Sequence, residues 1–194
     1  MNWPSFELDL RDGTPIQVRP VAPGDEQLVH AGFDHLSERS RYFRFFRSVE
    51  HLSDEELEKF VEVDQRNHIA FGAVGLTHAE SYPLGLARCI RLVNEPTAAE
   101  VAIAVVDSHH GRGVGTILLA AVAYAAAKMQ IATFVAHVLN NNREMLDLFG
   151  ELGGTSSVDE PNLTTVRMPI YSDTERYPDT PAIASFKRVY GLMG

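Results

Sequence analysis

The sequence predicts an α+β domain in which a mixed, mostly antiparallel sheet of about six or seven strands is flanked by about four helices. Three observations carry this reading. Two short strand-like runs near the N-terminus are separated by an Asp-Gly turn, three more follow between residues 68 and 106 with only turns between them, and a strand, helix, strand, helix order begins at residue 100.

Phe6 to Leu10 and Ile16 to Pro20 flank Arg11-Asp12-Gly13-Thr14, so a hairpin opens the domain. Pro23-Gly24-Asp25 stops the chain and offers Asp25 as an N-cap, after which Leu28, Val29, Phe33 and Leu36 recur at helical spacing. Ser37 precedes a second helix rich in arginines and aromatics from Arg39 to Arg47, and Ser53-Asp54-Glu55-Glu56 carries a capping-box pattern for a third that runs through Val63. The aromatics of the second helix are expected in the core and its arginines on a solvated face, with the wall of a binding groove as the alternative for the run from Arg39 to Arg47. From His68 the period changes: His68 to Leu76, Leu84 to Leu92 and Glu100 to Val106 form an antiparallel meander, with turns at Tyr82-Pro83 and Asn94-Glu95-Pro96. An Ala-rich helix to about Met129, a strand over Thr133 to Leu139 and a helix from about Asn142 to Leu152 come next. Strands at Thr155 to Val158 and Thr164 to Ile170 close the sheet, and residues 172–194 form a tail, irregular around Pro178 and Pro181 with a short helix over Ala182 to Tyr190.

With 194 residues and 45% hydrophobic content the chain suits one domain, 1–194. Its 17 Lys and Arg against 26 Asp and Glu leave a net charge of −9, which repels phosphate backbones and anionic headgroups, so neither nucleic acid nor a membrane is expected as a partner. The single cysteine, Cys89, has no partner for an internal disulfide, and Met1 to Leu10 has no leader-like pattern, so the expected setting is a reducing cytoplasm. The longest apolar stretch, Ile117 to Ala127, is too short to span a bilayer.

One segment stands out chemically. Glu100-Val101-Ala102-Ile103-Ala104-Val105-Val106 leads through Asp107-Ser108-His109-His110 into Gly111-Arg112-Gly113-Val114-Gly115-Thr116 and a helix. Three alternating glycines let backbone amides converge, the helix start adds its positive end, and Arg112 adds a fixed charge, so the turn suits a diphosphate. Gly115 is followed by Thr116 and Ile117, with no lysine for a Walker A loop. The preceding meander and the threonine at 116 speak against a dinucleotide fingerprint. Adjacent His109 and His110, with no completing cluster, do not read as a metal site.

The stretch His110 to Gly115 resembles the acetyl-CoA loop of the GNAT superfamily, Gln/Arg-x-x-Gly-x-Gly/Ala, with His110 in place of its first residue. Ile103-Ala104-Val105 resembles the family's pantetheine-binding strand, and Leu139 to Phe149 resembles its second signature, with Asn142 at the CoA-contacting asparagine. The likeness covers about residues 14 to 170. Val18-Arg19-Pro20, Gly24-Asp25-Glu26, Leu36 to Phe46 and Ala99 to Ala102 are similar to the bacterial protein lysine acetyltransferases that act on acetyl-CoA synthetase, whose larger members add a regulatory or ligase-like domain not expected here.

The resemblance implies a sheet splayed between Ile103–Val105 and Thr133–Leu139, with acetyl-CoA bound in the gap by Ile103, Ala104, Val105, His110, Gly111, Arg112, Gly113, Val114, Gly115, Thr116 and Asn142. It also implies direct attack by an amine, which must lose a proton first because lysine titrates near ~10.4. Glu100 stands where those lysine acetyltransferases hold their general base. His137, on the next strand, is a second candidate base. The tyrosine that serves many members as general acid is Phe149 here; a thiol with pKa near ~8.5 leaves without it. The expected acceptor is a protein lysine, for instance that of an acyl-CoA synthetase. A small amine or polyamine, or a non-catalytic acyl-CoA-binding module, is the alternative. The expected oligomeric state is monomer or homodimer.

Overall fold

The computed structural model describes residues 3–76 and 81–194. Eight strands form one sheet: β1 (Phe6–Asp9), β2 (Pro15–Pro20), β3 (His68–Leu76), β4 (Ser81–Arg91), β5 (Ala98–Val105), β6 (Thr133–Leu139), β7 (Thr155–Glu160) and β8 (Leu163–Pro169). Their order in space is β1-β2-β3-β4-β5-β6-β8-β7, and every neighbouring pair is antiparallel except β5–β6. Among the described residues six α-helices accompany it: α1 (Glu26–Asp34), α2 (Glu38–Phe45), α3 (Asp54–Val61), α4 (Val114–Lys128), α5 (Arg143–Glu151) and α6 (Pro181–Met193). The architecture is the predicted one, with one more strand than the upper estimate and two more helices. Among the described residues no helix is long and apolar enough to cross a membrane.

Local chemistry explains most boundaries. Ser53 and Glu56 close the capping box of α3 reciprocally, and Ser37 Oγ accepts the Ser40 amide at the start of α2. Asp25 is the N-cap of α1 as expected, but its side chain caps no helix amide; its carboxylate takes the Arg19 guanidinium in two hydrogen bonds of 2.6 and 2.8 Å, because a fork-shaped cation is a stronger partner than a helix amide. Tyr82-Pro83, expected as a turn, lies inside β4. Pro83 is tolerated there because it sits at a bulge, where Ala73 pairs Gly85 but Val74 pairs Pro83, and past the last β4–β5 rung, Gly85 with Val105.

Two cores form on opposite faces of the sheet. On one face α4 is buried along nearly its whole length, its run of alanines letting it lie close to the sheet and to α6. Residues 172–194, expected as a tail, supply α6, whose Ile183, Phe186 and Val189 are buried in this core. On the other face α1 to α3 cover Val21, Ala70 and Leu86 with Phe33, Leu57 and Phe60.

Candidate functional site

The parallel pair β5–β6 is held by three rungs only: Ala98 with Thr133, Ala99 with Phe134 and Glu100 with Val135. Beyond Glu100, β5 continues along β4 as far as Val105 while β6 continues along β8 as far as Leu139. Their separation opens a cleft of about 760 Å³ in the middle of the sheet. Glu100 stands at its root, exposed, on the last rung before the strands part.

The far end of β5 delivers the glycine-rich turn. A 3₁₀ turn over Asp107–His109 leads to Gly111 at φ 69° and Gly113 at φ 91°, a left-handed backbone that side chains disfavour. Gly113 is the N-cap of α4, and the first bond back to it comes from the Ile117 amide, at 3.0 Å. The amides of Val114, Gly115 and Thr116 therefore have no acceptor within the helix and face the cleft with the positive helix end. Such a cradle fits the diphosphate of CoA.

Of the residues expected to hold the acyl donor, Ile103, Ala104, Val105, His110, Gly111, Gly113, Val114, Gly115, Thr116 and Asn142 all line the cleft, as does Glu100. Asn142 is also the N-cap of α5, accepting the Met145 amide at 3.4 Å. His110 is used differently from a ligand contact: its Nε2 is 2.8 Å from the Val105 carbonyl oxygen and braces the turn against the end of β5.

Arg112 is absent from the cleft wall, and this corrects the sequence reading of its side chain. With left-handed glycines on both sides, its guanidinium points to the β1–β2 turn, where it binds the Asp12 carboxylate and, at 2.8 Å, Thr14 Oγ1. The Arg112 hydrogen bonds hold the Asp12 carboxyl down at about 2.

The opposite wall comes from α2, whose Arg39, Ser40, Phe43 and Arg44 line the cleft. Asp107 ties this helix to the glycine turn by accepting Ser37 N–H at 2.8 Å, Ser37 Oγ–H at 2.6 Å and Ser40 Oγ–H at 3.0 Å. Burial alone would push the Asp107 carboxyl up, but these donors, Ser37 above all, hold it low. Sequence reasoning missed this clasp, because residues some 70 positions apart carry no local pattern. It also took the α2 arginines first as a solvated face, with a groove wall as the alternative, and Arg39 and Arg44 do line the cleft. Arg44 is largely buried, with burial first and Arg88 second lowering its pKa to about 10 while Glu100 opposes them.

His137 lines the cleft on β6, its Nδ1 3.2 Å from Thr165 Oγ1. Phe149 contributes to the wall from α5 but is almost fully buried, 1% exposed, and supplies no proton donor.

A sheet that parts at a parallel pair beside an amide cradle defines an acyl-CoA-dependent N-acyltransferase, and the sequence agrees. The profile of the acetyltransferase (GNAT) family matches residues 33–153, and the chain belongs to that family, which takes acetyl-CoA as its acyl donor. The chain is 32% identical over 173 residues to acetyltransferase Pat of Mycolicibacterium smegmatis, an alignment that covers 82% of this chain and 50% of that protein. The chain thus spans half the length of this relative. Among solved structures it resembles the GNAT domain of S. lividans PAT, with 28% identity, a TM-score of 0.78, and 86% of this chain and 97% of that one covered. A cAMP-binding acyltransferase from Mycobacterium smegmatis is similar at 26% identity and a TM-score of 0.62, over 97% of this chain and 56% of that one.

Proposed function

We propose that the chain acetylates a lysine side chain on a protein, with Glu100 taking the proton from the amine. The observation that carries this reading is the position of Glu100, an exposed carboxylate on the last β5–β6 rung, at the root of the cleft that the glycine turn closes at its other end. A bound acyl-CoA supplies an activated thioester carbon. The chain supplies the rest: the amides of Val114 to Thr116 and the strand Ile103–Val105 hold and orient the donor, and Glu100 accepts the ammonium proton directly or through one water. The amine nitrogen then bonds to the acyl carbon as the carbon–sulfur bond breaks, the thiolate leaves without a protein acid, Phe149 standing where one would be, and the second proton shed by the nitrogen passes to the thiolate or to solvent.

A protein acceptor is favoured over a small amine by the rim. Phe46, the C-cap of α2, lines the cleft and is 43% exposed, an apolar contact of the kind that a partner covers. The similarity to Pat points the same way, and we take as acceptor the lysine of an acyl-CoA synthetase.

Incubation with acetyl-CoA and such a synthetase, followed by mass spectrometry, is expected to show one lysine gaining an acetyl group. Glu100→Gln is expected to lower kcat by roughly 100-fold or more with little change in acetyl-CoA affinity, because a general base supplies about 10² to 10⁴. His137→Ala is expected to stay within about threefold of the parent, since a missing base costs far more. No acetylated lysine alongside rapid turnover of a polyamine would transfer the assignment to a small-amine acetyltransferase.

A further inference from the structure

A second cavity, of about 90 Å³, lies under α1 and α2, on the far side of the cleft wall. Val29, Phe33, Phe45, Phe60 and Leu86 make its lining predominantly apolar, with the Arg19–Asp25 ion pair at its edge. The pocket opens to solvent, but its mostly apolar walls leave water in it few hydrogen-bond partners, so an apolar group displaces that water readily.

The partition between this cavity and the cleft consists of the residues that line both: Leu36, Arg44 and Ala104. Ala104 is part of the strand on which the acyl donor lies, and its methyl group is the smallest wall a side chain can offer. Arg44 and Glu100 both line the cleft, so the partition adjoins the space that Glu100 faces. The Arg44 guanidinium is held by the rings of Phe45 and Phe60, 5.2 and 5.7 Å from their centroids, and among the described residues its buried Nη2 meets no hydrogen-bond acceptor. A buried donor without a partner is costly to keep in place and loses little by moving.

From this geometry we infer that the cavity receives the tail of acyl groups longer than acetyl, so that the site takes short-chain acyl-CoA such as butyryl-CoA, with Arg44 the movable part of the wall. The inference rests on the acyl-transfer reading above. The reaction is unchanged by the longer chain: the same nitrogen–carbon bond forms, the same carbon–sulfur bond breaks, and the proton goes to Glu100. Each methylene moved from water into an apolar cavity tightens binding about fourfold, so the two that butyryl adds to acetyl amount to about 15-fold.

The test is calorimetric titration of the intact chain with acetyl-CoA and butyryl-CoA, with no acceptor present. Butyryl-CoA is expected to bind about 15-fold more tightly. Val29→Phe, which fills the cavity from α1, is expected to erase that preference while leaving acetyl-CoA affinity within about twofold; Leu28→Phe, from the same helix, is the second variant should the first fail to fold, with circular dichroism and melting as the check. Equal affinities in the parent chain overturn the proposal, as does a preference for butyryl-CoA that survives both filled variants in folded protein. Acyl transfer to the synthetase lysine is measured in parallel with both donors. A preference in binding with no transfer from either donor overturns the reading of the chain as a lysine acetyltransferase and leaves the pocket standing; transfer from acetyl-CoA with no preference does the reverse.

Discussion

Gly113 combines a left-handed backbone with open space on its Cβ side, next to amides that have no helical acceptor. Any side chain there is strained, and an acidic one adds repulsion against a diphosphate. Gly113→Asp is therefore expected to weaken acetyl-CoA binding by about 2 kcal/mol or more, measured by titration calorimetry. Cys89 makes the opposite case, a reactive group that the fold silences. It lies on β4 with no exposure, and burial pushes its thiol up to about 12, so almost no thiolate exists near neutral pH. At pH 8 the native chain is expected to leave a thiol reagent unreacted while the urea-unfolded chain titrates one thiol at once. Rapid labelling of the native chain would show that β3 and β4 open locally. The same protection keeps Cys89 out of assays that follow release of CoA thiol. The Cys89 expectation could be framed only with the structure, whereas the glycine spacing alone had already marked the turn and the effect of Gly113→Asp.

At the scale of elements, two connections hold the cleft in shape. The Asp107 clasp joins α2 to the glycine turn, and α6 packs on α4, behind the cradle. Phe186 is fully buried on α6, with its ring 5.1 Å from that of Tyr177 and 5.9 Å from that of Tyr190. Phe186→Ala is expected to cost about 3–5 kcal/mol, seen as a lower urea midpoint with an unchanged slope. A change below about 1 kcal/mol would mean that α6 is peripheral rather than part of the main core. The 172–194 segment was hard to place from sequence because Pro178 and Pro181 suggest an interrupted chain. In the structure Pro181 stands at the first position of α6, where a missing amide proton costs nothing.

For the whole molecule the deciding quantity is charge. The net charge of −9 gathers cationic acceptors from a distance, although Arg39 and Arg44 line the α2 wall of the cleft itself. Long-range attraction is screened over about 8 Å at physiological salt, whereas contacts inside the cleft are screened less. For a lysine on a protein whose surroundings are basic, kcat/KM is therefore expected to fall as salt rises from about 50 to 500 mM, while that for a neutral amine stays level. A flat response with the protein acceptor would show that encounter is governed by the local arginines rather than by the overall field.

What the sequence determined by itself was the set of pieces: strand and helix periods, the Ser53 capping box, the Asp-Gly hairpin, and a glycine turn at the head of a helix. These are local properties, set by the conformational needs of residues a few positions apart, and so they can be read without a fold. The tertiary structure alone decided where β5 and β6 separate, that Arg112 clasps Asp12 instead of facing the cleft, that Ser37 and Ser40 share Asp107, and that Arg44 is buried between two cavities. Each of these depends on which distant residues meet once the two cores close. Burial and the competition among polar partners settle that, and no spacing along the chain records it.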